Sequence, residues 1–227
     1  MAYLQHLLQR LNCCAVIFDM DGTMIDNHRF HLQAWGKFLQ NKGIQLTEEA
    51  YKQRINGHAT REAIAYLYNN TLSKAENLQY AAEKESIYRQ LYVPYIQPVT
   101  GLQPLLQALK AAGVPMAIAT SAIKENVEFM FKYIDVAAYF DTVVDAGDID
   151  RGKPDPEIYI KTAARLGVDS QNCLVFEDAL AGIRSAKAAG MKVIALTTTN
   201  SRDKLTEADM IINDFTEMVQ PPVAVAG

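Results

Sequence analysis

Asp19 and Asp21 stand one residue apart at the end of the apolar run Val16-Ile17-Phe18, and Gly22-Thr23 follows them. Two carboxylates this close repel, and each disfavours ionisation of the other. A fold tolerates such a pair where a cation, or a reaction that uses both groups, compensates. Taken alone, the stretch also fits a buried strand ending in an ordinary Asp-Gly turn. The rest of the chain repeats the pattern. Thr120 and Ser121 follow the apolar run 116–119, Glu177 and Asp178 follow 174–176, and Gly152-Lys153-Pro154 precedes a helical segment. The carboxylates of Asp19, Asp178 and Glu177 make a hard, all-oxygen donor set suited to Mg²⁺. A Thr120 hydroxyl and the Lys153 ammonium suit an anionic group beside such an ion.

Elements that alternate between strand and helix must position these residues. Strands are expected at 15–18, 116–119, 142–144, 174–176 and 193–196, with a short one at 210–212. Helices are expected at 3–11, from Leu102 to a stop at Gly113, at 127–133, after Asp155-Pro156 and at 179–189. That rhythm implies a doubly wound parallel sheet, an α/β Rossmann-like core whose working groups gather beyond the carboxyl ends of the strands. Residues 27–96 break the rhythm and read as helical throughout. Leu32, Trp35 and Leu39 share helical spacing ahead of Gly43, Thr47 opens a second helix, and Ser73-Lys74-Ala75-Glu76 matches a capping box. An insertion this long is no simple crossover loop. The expected organisation is a core of residues 1–26 and 97–227 carrying a small helical domain of residues 27–96.

The chain has 227 residues, 49% hydrophobic and 21% charged, with a formal net charge of −4. Its length suffices for a full core. Mixed charges without a basic stripe argue against nucleic acid as a partner. The start, Met1 to Arg10, lacks the layout of a signal peptide, and no apolar run reaches the length of a membrane span. The three cysteines, Cys13, Cys14 and Cys173, read as reduced thiols rather than a disulfide framework. The expectation is a cytoplasmic monomer that acts on a small molecule.

Together the motifs Asp19-Met20-Asp21-Gly22-Thr23, Thr120, Gly152-Lys153-Pro154 and Glu177-Asp178 resemble, in order and spacing, those of the haloacid-dehalogenase-type phosphatases and phosphomutases. The similarity runs from Ala15 to Phe215 and is nearest the subgroup with a helical cap after the first strand. The resemblance implies that Asp19 is a nucleophile forming an aspartyl-phosphate and that Asp21 is the general acid and base. It also implies that Mg²⁺ is held by Asp19, Asp178 and the Asp21 carbonyl with Glu177 at the metal, and that Thr120, Ser121 and Lys153 bind the phosphoryl group. An aspartate at position 21 favours phosphoryl transfer over dehalogenation, since a carbon–halogen bond has no oxygen leaving group to protonate.

In the helical insertion, His31 and Trp35 resemble the cap entrance of β-phosphoglucomutases and related sugar phosphatases. Arg61 lies near the mutase motif that grips a distal phosphate, one residue out of register after Gly57. Lys124 and Asn126 resemble a phosphate-binding pair of the mutases, with Glu125 between them and Ile123 inserted. Plainer roles exist for each: Trp35 as a core residue of the insertion, Arg61 as a solvated residue in a first helical turn. His28 and His31 without a third ligand are poor evidence for zinc, and His28 and His58 receive no role. The expected function is a Mg²⁺-dependent phosphatase of a small phosphorylated sugar or similar metabolite. A hexose-phosphate mutase is the alternative. A non-catalytic metabolite-binding relative would have no need of the acids and Lys153.

Overall fold

A computed structural model describes residues 2–55 and 59–219. Gly57 and His58 lie outside the described residues. The chain divides into two compact units, Met1–Asp26 with Gln97–Gly227, and Asn27–Ile96.

The first unit is built on six parallel strands: β1 (Ala15–Phe18), β2 (Met116–Ala119), β3 (Thr142–Val144), β4 (Cys173–Glu177), β5 (Lys192–Leu196) and β6 (Met210–Ile212). Their order is β3-β2-β1-β4-β5-β6. The chain starts in the middle, winds outward to β3, then returns to the other flank of β1. The reversal lies between β1 and β4, where an open α/β sheet splays its loops apart and binds ligands. Phe18 pairs with Ile118 on one side and Phe176 on the other, so three strands end level with one another. The Asp19 amide continues the ladder, donating to the Phe176 carbonyl at 2.9 Å.

Alternation along the strands decides which side chains meet. Ile17, Ala119, Val175 and Val193 face a core shared with Ile158, Tyr159 and Ala163 of α8 (Glu157–Leu166) and Ile183 and Ala186 of α9 (Leu180–Ala188). Asp19 and Glu177 continue that register, two residues past Ile17 and Val175. On the opposite face Phe18 stacks on Phe176 at 5.1 Å, and Phe215 packs edge-on against both. The helix α6 (Leu102–Ala111) buries Leu102, Leu105, Leu106 and Leu109, the stripe expected of an amphipathic helix.

Local details differ from expectation. The helix α7 spans Lys124–Tyr133, beginning three residues before Val127, so Lys124 and Asn126 lie in its first turn. At α8 the N-cap is Pro156, and the Asp155 carboxylate accepts from the Glu157 amide at 3.0 Å. Proline carries no N–H, so the first donor that Asp155 can satisfy is one residue further on. Cys13 and Cys173 are buried and Cys14 is exposed, all three as free thiols.

The second unit contains α2 (His28–Asn41), α3 (Glu48–Arg54), α4 (Thr60–Leu67) and α5 (Lys74–Tyr92). The Thr47 hydroxyl accepts from the Ala50 amide, and Ser73 and Glu76 form a reciprocal capping box. Trp35, Phe38, Ile55, Ala63, Ile64 and Ala81 form its core. Leu32 is 39% exposed, contrary to the expected face. The buried stripe of α2 is Phe30, Ala34, Trp35 and Phe38. Leu32 is two residues from both Phe30 and Ala34, which puts it about 200° round the helix from each. Among the described residues no helix is long and apolar enough to cross a membrane.

Candidate active site

The level ends of β1, β2 and β4, with the loop ahead of α8, bring Asp19, Glu177 and Lys153 into contact. The Lys153 ammonium donates to Asp19 Oδ1 at 2.7 Å, to Glu177 Oε1 at 2.6 Å and to the Ala119 carbonyl at 3.2 Å. Lysine has three N–H donors, and each finds an acceptor here. Ligand oxygens of Asp19, Glu177 and Asp178 lie within 4.8 Å of one another, and all three residues are buried. Three carboxylates thus face one ammonium in a dry setting, and a hard cation would balance the excess charge. The donor set fits Mg²⁺.

Glu177 is held from every side. Its Oε2 accepts from the Asp178 and Ala179 amides at 3.0 and 3.1 Å, just ahead of α9. Its Oε1 accepts from the Tyr159 hydroxyl at 2.8 Å as well as from Lys153. Gly182 leaves room for it: a Cβ there would lie 1.7 Å from Oε1. Asp178 has its own support. Thr23 donates to Asp178 Oδ1 at 3.3 Å, Thr199 is a further side-chain partner, and Asn200 donates to the Asp178 carbonyl at 3.0 Å.

Asp21 lies in the turn after Asp19, where the Gly22 amide donates to Ile25 O at 2.8 Å. Gly22 has φ +85°, and a Cβ there would come within 2.1 Å of Asp178 Oδ2 and 2.7 Å of Thr199 Oγ1. The Asp-Gly dipeptide is therefore more than a turn signal, because only glycine satisfies both the backbone and the space beside Asp178. The Thr198 hydroxyl donates to the Gly22 carbonyl and ties the β5 loop to the same turn.

Burial drives the Asp19 carboxyl well above its usual range, and Glu177 and Asp178 add to the rise while Lys153 opposes it. Asp178 is pushed up to about 7, by burial first and Glu177 second. Burial would depress Lys153, but Asp19 and Glu177 outweigh it and raise the ammonium well above its ordinary value. Without a cation, burial and mutual repulsion make Asp19 and Asp178 hold a proton more readily than a free carboxylic acid.

The remaining expected site residues are spread over both units. Thr120 is buried, and its hydroxyl accepts from the Ala122 amide at 3.0 Å, while Ser121 is exposed. Lys124 is exposed and pairs with Glu128 at 3.6 Å on its own helix, and Asn126 is buried in α7. In the helical unit Trp35 belongs to the core, and exposed Arg61 accepts from Asn77 at its main-chain carbonyl. His31 stacks on Tyr88 with centroids 3.8 Å apart, and its Nδ1 meets the Lys84 ammonium at 2.9 Å. Burial and Lys84 push His31 down to about 3, so it is neutral. At the other edge of the ring, Asn27 Nδ2 lies 3.5 Å from Nε2. Buried Lys84 also pairs with Glu85 at 2.8 Å.

Tyr159, Gly182 and the segment Thr198-Thr199-Asn200 were not anticipated, and Thr23, though part of the first motif, had no role of its own. The last carries a readable signal, because polar residues directly follow the apolar run of β5, as they do after β1, β2 and β4. Tyr159 carries none, since its spacing in α8 is that of a core residue.

The family model for haloacid dehalogenase-like hydrolases matches residues 16–196. The chain is similar to validoxylamine A 7′-phosphate phosphatase of Streptomyces hygroscopicus, 31% identical over 213 residues that cover 91% of this chain and 96% of that one. It is also similar to fructose-1-phosphate phosphatase of Escherichia coli, 32% identical over 79% of this chain and 94% of the relative. Among solved structures, β-phosphoglucomutase of Clostridium difficile superposes with a TM-score of 0.79 at 25% identity, over 90% of this chain and 92% of that one. The sheet order, the four motifs at its rim and the match through β5 agree, and the chain belongs to the haloacid dehalogenase-like hydrolase family.

Proposed function

We propose that this chain is a Mg²⁺-dependent phosphatase that hydrolyses a small phosphorylated sugar or similar metabolite through an aspartyl-phosphate. One observation carries the reading: a single buried ammonium, Lys153, bridges Asp19 Oδ1 and Glu177 Oε1 where Asp178 completes a three-carboxylate cluster. In this reading Asp19 attacks phosphorus, and the P–O bond to the sugar breaks. Asp21 protonates the departing oxygen and then takes a proton from the water that cleaves the acyl phosphate. Lys153 and Thr120 hold the phosphoryl oxygens, with Ser121 beside them. Asp19, Asp178 and the Asp21 carbonyl would hold Mg²⁺, with Glu177 alongside, and the ion would supply charge neutralisation to the phosphoryl group.

Several groups are needed because the reaction is slow. Phosphate monoesters call for rate enhancements up to about 10²¹, whereas one acid–base group supplies roughly 10²–10⁴. Fixed charge beside the phosphoryl group must supply much of the rest. The sequence relatives named as phosphatases of phosphorylated carbohydrates support this class of substrate. The mutase alternative has less support: it rests on likeness to structures named as mutases, while Arg61 stands one residue out of register with the motif that grips a distal phosphate.

The test is phosphate release from a panel of phosphorylated sugars and polyols with Mg²⁺. We expect turnover that excess chelator removes and Asp19→Asn abolishes. Unchanged turnover in Asp19→Asn would overturn the nucleophile assignment. Conversion of β-glucose 1-phosphate to glucose 6-phosphate, without stoichiometric release of phosphate, would replace the phosphatase by the mutase.

A further inference from the structure

Tyr159 belongs to α8 and is fully buried, yet its hydroxyl reaches the charged cluster rather than the apolar core around its ring. Burying a phenol hydroxyl costs free energy unless it has a partner, and phenylalanine would fill the same space without that need. Here the partner is Glu177 Oε1 at 2.8 Å, the oxygen that also holds Lys153. The face of the same ring lies 4.9 Å from the Lys153 ammonium, within the range of a cation–π contact. One side chain therefore touches both members of the pair.

The donors around Glu177 give the contact its meaning. Oε2 is fixed by two backbone amides, and Oε1 is shared between Tyr159 and Lys153. With four donors on two oxygens, the carboxylate has one orientation. The direction of Lys153 then follows. Two of its three N–H groups are anchored, on Glu177 and on the Ala119 carbonyl, and the third is aimed at Asp19 Oδ1. We propose that Tyr159 is a positioning residue of the phosphoryl-transfer site, acting through Glu177 to aim Lys153 at the nucleophile and the group it receives. The proposal rests on the phosphatase reading above for its reaction, and on the geometry alone for the Tyr159–Glu177–Lys153 relay. It places Glu177 beside the cation rather than on it as a direct ligand, with both oxygens engaged by protein donors.

The test is Tyr159→Phe, which keeps the ring and deletes one oxygen. With the best substrate of the panel, we expect kcat to fall about tenfold or more, as for loss of a hydrogen bond to a charged group. Affinity for inorganic phosphate, measured by calorimetry with Mg²⁺ present, should fall with it. Mg²⁺ affinity of the phosphate-free protein should stay within about twofold, and the melting temperature should change little. In a Glu177→Gln background the same change should add less than about twofold, because the relay is already broken. The proposal is overturned if kcat and phosphate affinity stay at the wild-type level, if the loss multiplies in Glu177→Gln, or if Mg²⁺ affinity falls in step with kcat. If the wild type releases no phosphate from any compound, the phosphatase reading fails by itself. Phosphate and Mg²⁺ affinities would still decide the role of Tyr159.

Discussion

Replacing Gly182 by alanine should destabilise the α/β unit, against the usual trend for glycine in a helix. Gly182 is a buried residue of α9, and alanine there would ordinarily gain about 1 kcal/mol in helix propensity. The structure opposes that gain, because the new methyl would lie 1.7 Å from Glu177 Oε1, 2.0 Å from Cδ and 2.4 Å from Oε2. No carbon tolerates such contacts, so the carboxylate must leave its donors and the Lys153–Glu177 pair must open. Separating a buried pair while its partner remains costs about 3–5 kcal/mol. Set against the propensity, the net loss is about 2–4 kcal/mol, and the melting temperature should drop by roughly 4–16 °C for a chain of this size. Thermal unfolding followed by circular dichroism reads the loss, and phosphate release reads its effect on the site. Gly36 in α2 is the control, since a Cβ there meets nothing within 4 Å, and Gly36→Ala should stabilise. Gly182→Ala melting at or above the wild type with full turnover would show that Glu177 does not occupy the space beside α9, and the relay would fall with it.

The acids at the sheet rim make the effect of Mg²⁺ depend on pH. Asp178 rises from its ordinary 3.8 to about 7 in the folded protein, so the metal-free folded state binds a proton that the unfolded chain has released. That contribution is full below 3.8 and is lost as pH rises through about 7. Mg²⁺ needs the ionised carboxylates; the rise in melting temperature it causes should be larger near pH 8 than near pH 5.5, and equal rises would refute the assignment. In the helical unit the signs reverse. Burial would raise the Glu85 carboxyl, but Lys84, His31 and Thr60 hold it down to about 2, and His31 is pushed down to about 3. Stability should therefore be lost on acidification, from His31 below its ordinary 6.5 and from Glu85 below 4.5. Trp35 is the single tryptophan and lies in this unit, with Lys84 5.0 Å from its ring, so its fluorescence should follow the acid transition. Glu85→Gln would leave Lys84 buried without its counter-ion and should cost about 3–5 kcal/mol; an unchanged urea midpoint at Trp35 would refute this.

Much of the fold was legible because the strands obey a simple code. A short apolar run followed by a polar residue recurs down the chain, and a parallel sheet brings those endings to one rim. The same code marks the site, since Asp19, Glu177 and Asp178 are the first polar residues after their apolar runs. Other features were hidden by long-range geometry. Leu32 looked buried by its spacing with Trp35 and Leu39, but the wider aromatic stripe of Phe30 and Phe38 set the orientation of α2. Gly182 looked like one small residue among many in a helix, and its need for space comes from a glutamate on a strand. Tyr159 read as core and is core by its ring, with only its hydroxyl belonging to the site.

The adjacent acids Glu177 and Asp178 illustrate how position in a strand divides labour. Glu177 is the last residue of β4, and alternation turns it toward α8 and α9, where amides, a phenol and an ammonium saturate both of its oxygens. Asp178 falls just past the ladder, beside Gly22 and under the hydroxyls of Thr23 and Thr199. A motif of two consecutive acids suggests two equal ligands, yet the pleat gives them different surroundings. A cation at this rim would then draw mainly on Asp19 and Asp178, with water completing its shell. That division suits Mg²⁺, which retains several waters and takes one or two carboxylates more readily than a closed protein cage. Glu177, with both oxygens engaged by protein donors, would serve instead to orient Lys153.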